Sequence, residues 1–188
     1  CPACGMTLIS QSEIRKVALV LFEGVELLDF AGPGEVFAAA HAFEVYTVAS
    51  SREPVVSQGF VTITPEHGID TAPLPDILIV PGGGVGSLLR DEATLAWLGR
   101  ASAEADHVLS VCNGAFVLAR QGMLDGLEAT THWASIEELR AAAPQAKVLE
   151  NRRFVDNGKV ITSAGVSAGI DASLHLVAGL MGRDEAAR

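Results

Sequence analysis

The sequence predicts an α/β fold: a single-domain sandwich whose mostly parallel central sheet is covered by helices on both faces. Three observations carry this. Short, nearly continuous apolar runs recur along the chain, the pattern of strands buried on both faces. Stretches with helical periodicity separate several of them, and strand–helix alternation builds parallel sheets. The length of 188 residues, 49% of them hydrophobic and 19% charged, is enough for one sizeable core without a second domain.

Each element follows in order. A polar lead-in over residues 1–14 carries Cys1 and Cys4, and residues 15–188 form the domain. IRKVALVLF, ending at Phe22, reads as the first strand. Further strands are FEVYTVAS (Phe43–Ser50), DILIVPGGG (Asp76–Gly84), HVLSVC (His107–Cys112) and KVITSAG (Lys159–Gly165). The first helix lies in GPGEVFAAAHA and is entered through Pro33, a residue suited to a first helical position. DEATLAWLGRASAEA and GAFVLARQG supply helices after the third and fourth strands. WASIEELRAAAPQ is helical until Pro144 stops it. VSQGFVTI and RRFVDNGKVI read as hairpins, the second turning at Asn157–Gly158. The last helix starts near Ser167 and places Ile170, Leu174, Val177 and Met181 on one stripe.

Composition excludes several function classes. The apolar runs are too short to span a bilayer, so no membrane partner is expected. Thirteen Lys+Arg against 23 Asp+Glu give a formal charge of -10 with no basic cluster, so this segment is not expected to bind nucleic acid. Three cysteines form no disulfide framework, which points to a reducing compartment, the cytoplasm. The chain begins CPACGM with no initiator Met, as a fragment or a processed form would. Cys1 and Cys4 make half of a zinc pattern with no second pair at suitable spacing, and a mobile terminus is the plainer reading; no metal and no cofactor are expected.

In open α/β sheets ligands collect beyond the carboxyl ends of the strands, and three features fall there. Cys112, in SVCNGAFVLA, stands between a strand and the helix that follows Asn113–Gly114. A sharp turn would lift the thiol into a cleft, with the helix N-terminus favouring thiolate; the alternative is a packed thiol. In PGGGVGS the spacing fits neither a phosphate loop nor a dinucleotide fingerprint, but Gly83 and Gly84 could donate N–H groups to an oxyanion, or form only a tight turn. Asp29, in LLDFAGPGE, is a first-turn or capping group, or a proton carrier if the sheet brings it to Cys112. His132, in ATTHW, is a hydrogen-bonded structural residue or an orienting base. His41, His67, His107 and His175 lack companions for a metal site.

Taken together, LLDFAGPGEVF, ILIVPGGG, SVCNGAFVLA, GMLDGLEATTHW and VITSAGVSAGIDASLHLVA resemble the ThiJ/PfpI superfamily from Arg15 onward. Within it they are most similar to the branch of isocyanide hydratases and the sensor domains of AraC-type regulators. The resemblance implies a glutamine-amidotransferase-like fold with Cys112 as nucleophile at its elbow and Asp29 as proton carrier. Gly83 and Gly84 match the backbone donors, and His132 matches a histidine near the cysteine in the deglycase branch. Asn113, Gly114 and His132 join Gly83 and Gly84 as expected substrate contacts. The implied reaction is hydration: thiolate attack on an isocyanide carbon, a thioimidate, then water to give an N-substituted formamide. Asn113 stands where the PfpI-type peptidases have histidine and isocyanide hydratase has threonine, which argues against proteolysis. The alternatives are a non-catalytic sensor of a small ligand and a glyoxalase- or deglycase-like enzyme. The regulators carry a helix-turn-helix domain after the matching segment, and none lies in these residues. A homodimer is expected, as relatives commonly pair.

Overall fold

The computed structural model describes residues 14–187. Cys1 and Cys4, and with them the half zinc pattern, lie outside the described residues.

The chain runs β1 (Arg15–Val20), α1 (Leu27–Ala39), β2 (Phe43–Ala49), β3 (Val55–Ser57), β4 (Val61–Ile63), β5 (His67–Gly68), β6 (Ile77–Val80), α2 (Glu92–Glu104), β7 (His107–Val111) and α3 (Ala115–Arg120). It continues through β8 (Glu128–Ala129), α4 (Ile136–Ala142), β9 (Lys147–Val148), β10 (Phe154–Asp156), β11 (Val160–Ser163), α5 (Ser167–Met181) and α6 (Arg183–Ala186). Seven strands form the main sheet in the order β10-β11-β7-β6-β1-β2-β5. All its neighbours are parallel except β10 and β11, the hairpin closed at Asn157–Gly158. β3 and β4 form the other expected hairpin, pairing Val55 with Ile63 outside the main sheet. β8 pairs with β9, where Lys147 Nζ meets Glu128 Oε1 at 2.6 Å.

Both faces of the sheet are covered. All four residues of β6 are buried, which requires packing above and below. α1 and α5 pack together over one face. On the other, Leu78, Val80 and Val108 meet Leu98 of α2 and Val117 and Leu118 of α3. Asp91 caps α2, its carboxylate accepting from Thr94 N–H and from the Thr94 hydroxyl. Among the described residues no helix is long and apolar enough to cross a membrane.

One expectation is corrected. α1 begins at Leu27, not after Gly32, and carries Pro33 in its interior. Tertiary packing overrides the local Gly-Pro-Gly signal. A side chain at Gly32 would press on Ile170 Cγ1 of α5 at 2.7 Å, and one at Gly34 on Leu19 Cδ1 of β1 at 2.8 Å. These glycines let helix, sheet and neighbouring helix approach closely; they do not make a turn. The shift places Asp29 in the first turn of α1, fully buried.

Candidate active site

β11, β7, β6 and β1 are adjacent and parallel, so the loops at their carboxyl ends converge on one rim. Cys112 leaves β7 with φ +57, in the left-handed region that a non-glycine residue adopts only under constraint. A short 3-10 turn over Cys112–Gly114 then leads into α3. Thr131 holds the bend, its hydroxyl donating to the Cys112 carbonyl at 2.8 Å. Gly114 is required because a side chain there would collide with the Val80 carbonyl oxygen. It is buried, packed against β6.

Asp29 reaches this turn from α1. Its Oδ2 accepts from Gly82 N–H at 3.1 Å and its Oδ1 from Val166 N–H at 2.9 Å, tying together the loops after β6 and β11. The carboxyl and the Cys112 thiol are neighbours across Gly82, close enough for each to act on the other's proton affinity. The sheet thus brings together the two residues singled out for catalysis, from positions far apart in sequence. Gly82 sits against both: a side chain there would lie 2.7 Å from Cys112 Cβ and 2.8 Å from Asp29 Oδ2.

The electrostatics differ from the expectation for a helix N-terminus. Burial pushes the Cys112 thiol up to about 12, the Asp29 charge adds to the shift, and the hydrogen bond from Asn113 N–H opposes it. Burial likewise raises Asp29 above the usual carboxylate range, against the bonds from Val166 and Gly82 N–H. The six-residue α3 does not make a free thiolate here. Desolvation and two nearby carboxylates outweigh it, and the thiol keeps its proton beside a carboxylate able to receive it.

The N–H groups of the glycine loop have partners within the protein. Gly83 N–H donates to Asn113 Oδ1 at 2.8 Å, and Gly84 N–H donates to the Gly24 carbonyl at 2.8 Å. Both expected oxyanion donors are therefore engaged inside the protein. Asn113 is committed at both ends, since its Nδ2 donates to the Gly83 carbonyl at 3.1 Å. His132 flanks the thiol across Gly165, whose Cβ position lies 3.4 Å from Cys112 Sγ and 3.5 Å from His132 Cδ2. Its Nδ1 accepts from Ala134 N–H at 3.4 Å, so the ring orients its own turn.

Four residues at this rim carry no signal that the sequence reading used. Val166 has φ +44, and its N–H is held by Asp29. Gly165 touches both Cys112 and His132. Glu26 stands one helical turn before Asp29, a spacing that could have marked it, and raises both partners of the pair. Gln58, from the β3–β4 turn, donates to Glu26 Oε2 at 2.7 Å, a contact invisible to local pattern. Among the described residues no group of three or more His, Cys, Asp or Glu could hold a metal.

Known proteins share this fold. Isonitrile hydratase of Pseudomonas putida is 37% identical over 172 residues, 91% of this chain and 74% of that protein. The transcriptional regulator GbdR of Pseudomonas aeruginosa is 30% identical over 179 residues, 90% of this chain but 48% of the regulator. Thus the chain spans about half the length of that relative. A ThiJ/PfpI family protein from Pseudomonas syringae superposes with a TM-score of 0.87 at 30% identity, over 98% of this chain and 79% of that one. Drosophila melanogaster DJ-1beta shares the fold, with a TM-score of 0.81 at 19% identity over 93% and 94%. The model of the DJ-1/PfpI family matches residues 15–179, and this chain belongs to that family.

Proposed function

We propose that the protein is a cysteine-dependent hydratase of small electrophiles, acting on isocyanides or compounds like them. The observation that carries this is the Cys112 thiol placed beside the buried carboxyl of Asp29 at a strained strand-to-helix turn. In the proposed reaction the thiol proton passes to Asp29 and Sγ attacks the terminal carbon of R–N≡C. Asp29 returns the proton to that carbon, giving Cys112–S–CH=N–R. Water then adds across C=N, the C–S bond breaks, the thiol recovers its proton and R–NH–CHO leaves. One isocyanide and one water yield one formamide.

Commitment of the Gly83 and Gly84 N–H groups supports hydration over acyl transfer. Attack on an isocyanide carbon develops no oxyanion at that step, whereas attack on a carbonyl does. The similarity to isonitrile hydratase points the same way. The similarity to GbdR favours a second reading, a sensor that keeps the cleft to bind a small ligand. We further propose a homodimer, supported by Leu28 and Leu174, left 48% and 36% exposed beside the α1–α5 groove.

Formamide production from an alkyl isocyanide, followed by mass spectrometry for the wild type, Cys112→Ser and Asp29→Asn, tests the enzyme. Turnover that is lost with Cys112→Ser supports it. Absence of turnover with an isocyanide, but turnover with methylglyoxal, would move the activity to the glyoxalase class. Saturable binding without turnover of either would make the domain a sensor. Sedimentation as a monomer at micromolar concentration would remove the dimer.

A further inference from the structure

A second carboxylate, that of Glu26, acts on Cys112 besides that of Asp29. Glu26 is half-buried where β1 leads into α1, and its backbone is pinned to the loop that carries the site. Its N–H donates to the Gly82 carbonyl at 2.9 Å, and a side chain at Gly83 would press on Glu26 N at 2.5 Å. Gly82 in turn touches Cys112 and Asp29, so one residue separates the Glu26 backbone from the thiol. The Glu26 carboxylate is held in place by Gln58, whose Nε2 donates to Oε2 at 2.7 Å. Gln58 has φ +48, and its hairpin is anchored below by the Ser57 hydroxyl on the Val25 carbonyl at 2.7 Å. No described cation forms an ion pair with Glu26. A neutral amide thus positions this carboxylate and leaves its charge in place.

We infer that Glu26, tethered by Gln58, is a specificity-determining residue that makes the Cys112 mouth favour neutral or cationic small electrophiles over those bearing a carboxylate or phosphate. The inference rests on Cys112 being the nucleophile and deepens that reading by naming the substrate class. Isocyanides with uncharged substituents fit it. A fixed negative charge near the approach path raises the free energy of an anionic reagent and leaves a neutral one of equal size unaffected.

The experiment compares iodoacetamide with iodoacetate, which have the same size and leaving group and differ in charge. Each forms an Sγ–C bond as iodide leaves and the thiol proton passes to solvent. Rates at Cys112 are read by peptide mass spectrometry at about pH 9 for the wild type, Glu26→Gln, Glu26→Asp and Glu104→Gln. The amide-to-acid rate ratio cancels any change in thiolate population, because both reagents draw on the same thiolate. Glu26→Gln should lower the ratio about fivefold, the effect of one unit charge at several ångströms in a partly solvated site. Glu26→Asp, which keeps the charge, should stay near the wild type. Glu104→Gln, at the end of α2 where the chain enters the amino end of β7, changes net charge equally and should leave the ratio unchanged. Raising salt should narrow the wild-type ratio. Equal ratios in the wild type and Glu26→Gln would overturn the inference and leave Cys112 as the nucleophile. An equal fall in Glu104→Gln would assign the preference to net charge and overturn it too. Failure of both reagents to label Cys112 in the folded protein would overturn both readings.

Discussion

The side chain of Asn113 pairs with the whole peptide of Gly83, accepting from its N–H at 2.8 Å and donating to its carbonyl at 3.1 Å. This couples the turn after β7 to the loop after β6 and explains why an amide follows the cysteine. An ionised carboxylate would accept from the N–H but could not donate to the carbonyl. Asn113→Ala leaves the Gly83 N–H without its acceptor, while the Gly83 carbonyl keeps the Val85 N–H at 2.8 Å, and should cost about 1–3 kcal/mol in unfolding free energy. Urea denaturation checks this, and an unchanged midpoint would show that the pairing contributes nothing.

The Cys112 thiol, raised to about 12, should be nearly all protonated at neutral pH. Its alkylation by iodoacetamide should therefore be slow near pH 7 and keep rising with pH well past the range where an ordinary thiol levels off. Asp29→Asn removes a negative charge that favours the protonated thiol, so the profile should move to lower pH and the rate near pH 8 should rise about tenfold. Formamide turnover should fall about a hundredfold or more in the same variant, because the proton carrier is gone. Superimposable alkylation profiles would show that Asp29 is only structural.

Val166 combines a β-branched side chain with φ +44 and ψ -106, where glycine is favoured. Its side chain is 38% exposed, so little burial is lost on truncation. Val166→Gly should leave stability unchanged or raise it by about 1 kcal/mol, since relief of backbone strain offsets the added freedom of the unfolded chain. A drop in thermal midpoint would mean that the Val166 side chain itself supports the site.

Ser110 Oγ is the buried side-chain polar atom without a hydrogen-bond partner among the described residues. Its residue lies wholly buried on β7 between β6 and β11, and the Ser163 hydroxyl donates to its backbone carbonyl rather than to Oγ. Ser110→Ala removes an unsatisfied hydroxyl at almost constant volume and should stabilise the fold by about 1 kcal/mol. Thermal unfolding decides it, and destabilisation would reveal a partner for the hydroxyl in solution.

The sequence alone determined the α/β class, the five parallel or hairpin strands and both hairpins, and it singled out Cys112 and Asp29 as candidates. These features are local: continuous apolar runs, helical stripes, Asn-Gly in a turn, and a cysteine between a strand and a helix. Two-residue strands such as β5 and β8 left no such pattern, because their pairing is supplied by neighbours distant in the chain. The start of α1 was misplaced for the same reason, since Gly32 and Gly34 are there for contacts with Ile170 and Leu19. Only the tertiary structure decided what the candidate site residues touch. Asp29 meets Val166 across 137 positions, Glu26 meets Gln58 across 32, and the N–H groups of Gly83 and Gly84 find acceptors that no local pattern names. The protonation of Cys112 was likewise beyond the sequence: a helix N-terminus can be read from a motif, but burial and the carboxylates that outweigh it exist only once the chain has packed.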